Sequence, residues 1–148
     1  METTLKQLDR QRRLLGQHWT QFSEIELTQP LAPGRWSRKE ILGHLIDSAA
    51  NNHRRFVLAQ AGPWPYVMES YDPDYWVQCG SYLNVPGAEL LAFWNAYNKQ
   101  LRQLISAVPT AALAHECHTP HGTRVTLEWL IKDYVLHLEH HVQQIIHD

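Results

Sequence analysis

Apolar residues return every three or four positions through four stretches of this chain, and no stretch alternates them convincingly in the period of two that a strand requires. Each stretch can therefore bury only one helical face, and such faces must find each other. In the first stretch, Leu5, Leu8, Leu15, Trp19 and Phe22 hold the period until Pro30 and Pro33 interrupt it. In the second, SRKEILGHLIDSAANNHRRFVLAQ, Ser37 stands three residues before Glu40. That spacing makes a capping box, in which each side chain satisfies an orphan backbone donor at the other's end, so a helix begins at Ser37. The third stretch carries Leu90, Leu91, Trp94, Tyr97, Leu101, Leu104 and Ile105 and stops at Pro109, which has no amide hydrogen to donate. Thr126 caps the fourth, with Leu127, Leu130, Ile131, Tyr134, Leu138, Val142 and Ile145 on its apolar side.

Four amphipathic helices around a shared core predict an all-α four-helix bundle. At 148 residues with 44% hydrophobic content, one domain spanning 1–148 is expected. The connection between the second and third long helices, AGPWPYVMESYDPDYWVQCGSYLN (61–84), is the exception. Glycines, prolines and large aromatics replace periodicity there, with a short helix expected near Asp72 to Val77.

Charge narrows the partners. Thirteen basic and 15 acidic side chains nearly cancel, to a formal −2, so no field attracts nucleic acid or an anionic membrane. No apolar run approaches the roughly 20 residues that cross a bilayer. The N-terminal METTLKQLDRQRR lacks a secretory apolar stretch, and two cysteines make no disulfide framework, so a cytoplasmic protein is expected.

Near the C-terminus, HLEHH crowds three histidines into five residues. On a helix, His137 and His141 lie roughly 40° apart, on the side of Leu130 and Tyr134, whereas His140 falls roughly 100° from His141 and away from the apolar arc. The pair can grip one metal ion, or each ring can be a hydrogen-bonded core residue. On the second helix, His44, Ser48, Asn51 and Arg55 fall within roughly 60° of one another, with Asp47 just outside. This stripe is either the wet face of the helix or, for His44 inside ILGHLID, a residue turned inward. HECHTPH (115–121) offers His115, Cys117, His118 and His121, but its spacing fits no common zinc pattern, and Pro120 and Gly122 mark a turn. Cys79 has no basic neighbour in sequence to make it a thiolate.

The segments GRWSRKEILGHLIDSAANNHRRF and TLEWLIKDYVLHLEHHVQQI, with ESYDPDYWV between them, resemble the DinB/YfiT-like metalloenzyme family over nearly the whole chain. The resemblance implies an up-down-down-up bundle. It implies a metal held by one histidine of the second long helix and an HxxxH pair of the fourth, which are His44, His137 and His141 here. Family activities include transfer or isomerisation dependent on a low-molecular-weight thiol, and hydrolysis. Relatives pair through helices, and six tryptophans and six tyrosines are much aromatic surface for one small bundle, so a homodimer is expected.

Three neutral imidazoles would leave a bound Zn²⁺ or Ni²⁺ its full charge and an open position for water, substrate or a thiol. Asp47, one turn after His44, is the candidate proton acceptor, or a group orienting a ligand. Asp133, one turn before His137, is a candidate to orient that ring. Either is otherwise a solvated surface carboxylate, the default for an acidic residue on a helix. Trp64, Tyr66, Tyr71, Tyr75 and Trp76 are either a lid over the site or core and interface residues. The leading expectation is a metal-dependent enzyme acting on a small molecule. The alternative is a helical protein that binds metal or a small molecule and catalyses nothing.

Overall fold

The computed structural model describes residues 1–148. Four long helices, α1 (Glu2–Trp19), α3 (Arg38–Ala61), α5 (Gly87–Ser106) and α6 (Leu127–His147), are joined through two short ones, α2 (Glu24–Thr28) and α4 (Pro73–Gly80). The start of α3 is set as its sequence dictates: the Ser37 hydroxyl accepts from the Glu40 amide, and the Glu40 carboxylate accepts from the Ser37 amide at 2.8 Å. Thr126 caps α6 by accepting from the Trp129 amide.

Both α1 and α3 pack against α5 and α6. Their buried stripes merge into one cluster of 26 residues, built around Leu8, Leu15, Phe56, Trp94, Leu101, Ile131 and Leu138. Polar contacts fix the directions. Arg12 donates to Asn95 while Arg102 pairs with Asp9, so α1 and α5 are antiparallel. Trp19 Nε1 donates to the Gly87 carbonyl, buried Lys39 pairs with Glu24, and Arg38 donates to the Ile145 carbonyl. The C-terminal ends of α1 and α6 and the N-terminal ends of α3 and α5 therefore meet at one end of the molecule. No helix is long and apolar enough to cross a membrane.

The expectation of an all-α chain requires correction, because a small three-stranded sheet is present. Strand β1 (Tyr66–Val67) runs parallel to β2 (Glu116–His118), and β2 pairs antiparallel with β3 (Arg124–Thr126), with Cys117 opposite Val125. Strands of two or three residues are too short to show alternation in a sequence. HECHTPH begins this hairpin. Cys117 is fully buried, His115 donates to the Ala59 carbonyl, His118 pairs with Glu116 and His121 is exposed, so the four do not converge. In the connection after α3, α4 starts on Asp72, whose carboxylate accepts from the Asp74 and Tyr75 amides. The first periodic stretch is also divided. Its end forms α2, because Ser23 and Glu26 make a capping box of their own.

Candidate metal centre

His44 of α3 meets His137 and His141 of α6, and one nitrogen from each of the three rings lies within 4.8 Å of the others. The helices' antiparallel contact brings them together: Arg38 reaches Ile145 and Phe56 stacks edge-on against Tyr134, which places the 44 level beside the 137–141 turn. His44 Nε2 stands 3.1 Å from His137 Nε2. The edge of a tetrahedron with zinc–nitrogen bonds of 2.0–2.1 Å is about 3.3 Å, so this pair is spaced for a shared ion.

Burial sets the charge state. His44 is only 5% exposed and its pKa falls to about 4, chiefly by desolvation and secondarily by His141. His137 falls to about 3 by desolvation, with the neighbouring histidines adding to the effect. His141 is lowered too, by desolvation, against the hydrogen bond to Gln144. All three rings are thus neutral at pH 7, with lone pairs free to bind. The Nδ1 atoms of His44 and His137 are buried without partners, while Nδ1 of His141 is held at 2.9 Å by Gln144 Oε1. That bond makes Nδ1 the protonated nitrogen and leaves Nε2 as the donor. A set of uncharged, borderline-soft nitrogens with a dry wall fits a divalent transition ion. Trp36 supplies part of that wall, its ring 5.1 Å from that of His44.

Asp47 lies one turn beyond His44 and is 6% exposed. Its Oδ1 accepts from the Tyr82 hydroxyl at 2.5 Å, and its Oδ2 is buried without a partner. Desolvation raises its pKa and the Tyr82 bond opposes that rise. Tyr82 reaches Asp47 because two glycines let it: a Cβ on Gly43 would stand 2.0 Å from the ring, and one on Gly80 would stand 2.4 Å from it. Tyr75, Trp76, Cys79 and Gly80 join Asp47 around a cleft of 320 Å³.

The other candidates fall elsewhere. His140 is exposed and outside the converging set. Glu139 is held by Gln7 and Gln11 of α1, tying that helix to α6. Asp133 is exposed, and the His137 Nδ1 it was expected to orient has no partner. Of the five aromatics, Tyr75 and Trp76 line the cleft, while Trp64 stacks on His115 and donates to Ala59. Gln144, Trp36 and Tyr82 were not singled out from the sequence. Gln144 could have been, since it stands one turn after His141. For Tyr82 the only signal was Gly43, an interior helix glycine of the kind that marks a close approach.

The family model of the DinB superfamily matches residues 7–145. The chain belongs to the DinB superfamily. Among its relatives, a protein of Halalkalibacterium halodurans named provisionally as a metal-dependent hydrolase is 25% identical over 124 residues, covering 84% of this chain and 71% of the relative. YfiT of Bacillus subtilis, named in the same provisional way, is 23% identical over 125 residues, covering 84% and 70%. The solved structure of YfiT, described as an unusual four-helix bundle, superposes with a TM-score of 0.87 at 22% identity, covering 97% of this chain and 82% of YfiT. A mycothiol-dependent maleylpyruvate isomerase superposes with a TM-score of 0.76 at 14% identity, covering 95% of this chain and 58% of the isomerase. These likenesses show a shared DinB-like fold.

Proposed function

We propose that this DinB-superfamily protein is a metal-dependent enzyme acting on a small molecule, with His44, His137 and His141 holding one Zn²⁺ or Ni²⁺. The observation that carries the proposal is the convergence on one point of three desolvated imidazoles, one buried and two half-buried. A divalent ion held there supplies Lewis acidity and lowers the pKa of a water or thiol placed at an open position. The chain's own residues do the rest. Gln144 fixes the tautomer of His141, and Trp36 covers one side of His44 against water. Asp47, with one oxygen taken by Tyr82 and the other unshared, accepts a hydrogen bond or a proton from the substrate.

Hydrolysis and thiol-dependent transfer share this set of donors and differ in what occupies the open position. The relatives' names favour the first, and the shared fold with a mycothiol-dependent enzyme accommodates the second. We further infer an up-down-down-up course, supported by the helix ends that meet together, with 1–148 as one domain, a cytoplasmic location and a homodimer. Sedimentation tests the dimer, and a concentration-independent species of 17.2 kDa would refute it.

Elemental analysis of untagged protein, purified without chelating resin and then offered Zn²⁺ or Ni²⁺, is expected to give about one ion per chain. Absence of stoichiometric metal would overturn the proposal. Spectra of the Co²⁺ form should change on adding a small thiol, and turnover of electrophiles with thiols against turnover of esters without them separates the two reactions. A loaded protein that admits no exogenous ligand and turns over neither class would instead be a non-catalytic binding protein.

A further inference from the structure

The cleft between α3 and α4 holds none of the three histidines and is built around Asp47, the residue assigned above to the substrate. Its floor is a buried carboxylate with one oxygen committed and one unshared. We infer that this cleft binds the ammonium group of an amine-bearing small molecule, anchored on Asp47 Oδ2 between the rings of Tyr75 and Trp76. The inference rests on the small-molecule reading above and names the chemistry that would be recognised.

Three observations carry it. First, Asp47 is not spare surface charge: it is 6% exposed, and Tyr82, wedged against Gly43 and Gly80, holds Oδ1 and so fixes the orientation of Oδ2. Second, the protein supplies no cation of its own. No lysine, arginine or histidine forms an ion pair with Asp47, although buried Lys39 is paired with Glu24 and Arg54 with Glu69. A buried carboxylate oxygen lacking a donor is completed by an N–H bearing positive charge and repels phosphate or carboxylate. Third, the walls suit a cation. Tyr75 and Trp76 are exposed, the latter by 39%, and aromatic faces attract ammonium groups through the ring quadrupole. At 320 Å³ the space is at the small end of ligand pockets, which suits a metabolite rather than a peptide.

The test uses the full chain with and without one equivalent of Zn²⁺, titrated calorimetrically with phenethylammonium, the neutral 2-phenylethanol and the anionic 3-phenylpropionate. The ammonium should bind at least tenfold more tightly than the alcohol, and the propionate should not bind. Zn²⁺ should change the ammonium affinity by no more than about twofold. Asp47→Asn should lower ammonium affinity at least tenfold while leaving alcohol affinity unchanged. Trp76→Ala, at a ring outside the bundle's core cluster, should lower ammonium affinity at least threefold, and it decides the matter if Asp47→Asn fails to fold. Equal binding of ammonium and alcohol, an unaffected Asp47→Asn or Trp76→Ala, or ammonium binding that appears only with Zn²⁺ would each overturn the assignment. The Zn²⁺ bound in the same samples separates the two readings: metal without ammonium binding sinks the cleft assignment alone, and ammonium binding without metal sinks the metal reading alone.

Discussion

An exposed histidine with the ordinary pKa of 6.5 is protonated about a quarter of the time at pH 7, and each proton competes with a metal for the same lone pair. Burial removes that competition for His44 and His137, whose pKa values near 4 and 3 leave them neutral throughout the physiological range. His44→Ala, His137→Ala and His141→Ala should each weaken Zn²⁺ binding by more than about 100-fold, since each deletes one of three donors and none of them hydrogen-bonds a carboxylate that could take its place. His140→Ala should change affinity by less than about threefold, because that exposed ring lies outside the converging set. Gln144→Leu should fall between them, at about tenfold, by freeing the tautomer of His141. Competition titrations against a chromophoric chelator read all five. A His140→Ala loss as large as that of His141→Ala would show that the neighbouring rings are interchangeable and the geometry wrong.

Among the elements, legibility followed the locality of the signal. The starts of α3 and α6 could be read because Ser37, Glu40 and Thr126 act on amides within three residues of themselves. The opposition of α3 and α6 could not be read from spacing, and it is what brings His44 to His137. His137 and His141 shared a face on sequence grounds, whereas Tyr82 meets Asp47 across 35 residues through a turn that begins at Ser81, a non-glycine residue with φ of 51°. The short strands escaped for want of length, and α2 escaped because its capping box lies inside a stretch read as one helix. A pair of glycine substitutions tests how firmly the α4 segment is locked to α3. Gly43→Ala places a methyl group 2.0 Å from the inner edge of the Tyr82 ring, which must shift, so stability should fall by about 1–3 kcal/mol despite the better helix propensity. Gly16→Ala, within α1 and with nothing inside 4 Å of the new methyl group, should raise stability by about 0.5–1 kcal/mol. Urea denaturation measures both, and a neutral Gly43→Ala would mean that Tyr82 is not wedged in place.

For the molecule as a whole, the histidine site links folding to pH. His44 takes up a proton near pH 6.5 when unfolded and near pH 4 when folded. Between those values the unfolded chain binds more protons, so stability rises with pH across that window and falls as pH drops through it. His137 acts with the same sign over a window reaching down to about pH 3. From pH 7 to pH 5 the His44 contribution alone amounts to about 2 kcal/mol, a sizeable fraction of the 5–15 kcal/mol that holds a typical domain together. The metal-free protein should therefore melt at a lower temperature at pH 5 than at pH 7, and His44→Ala should flatten that difference even though it lowers stability at both. Saturating Zn²⁺ should raise the melting temperature at both pH values by mass action on the folded state, because folded His44 and His137, with pKa values near 4 and 3, are still almost wholly neutral at pH 5. Calorimetric scans of the metal-free and Zn²⁺-loaded protein at the two pH values decide it. A metal-free protein as stable at pH 5 as at pH 7 would show that the imidazoles are not desolvated, and with them would go the neutral donor set on which the metal centre depends.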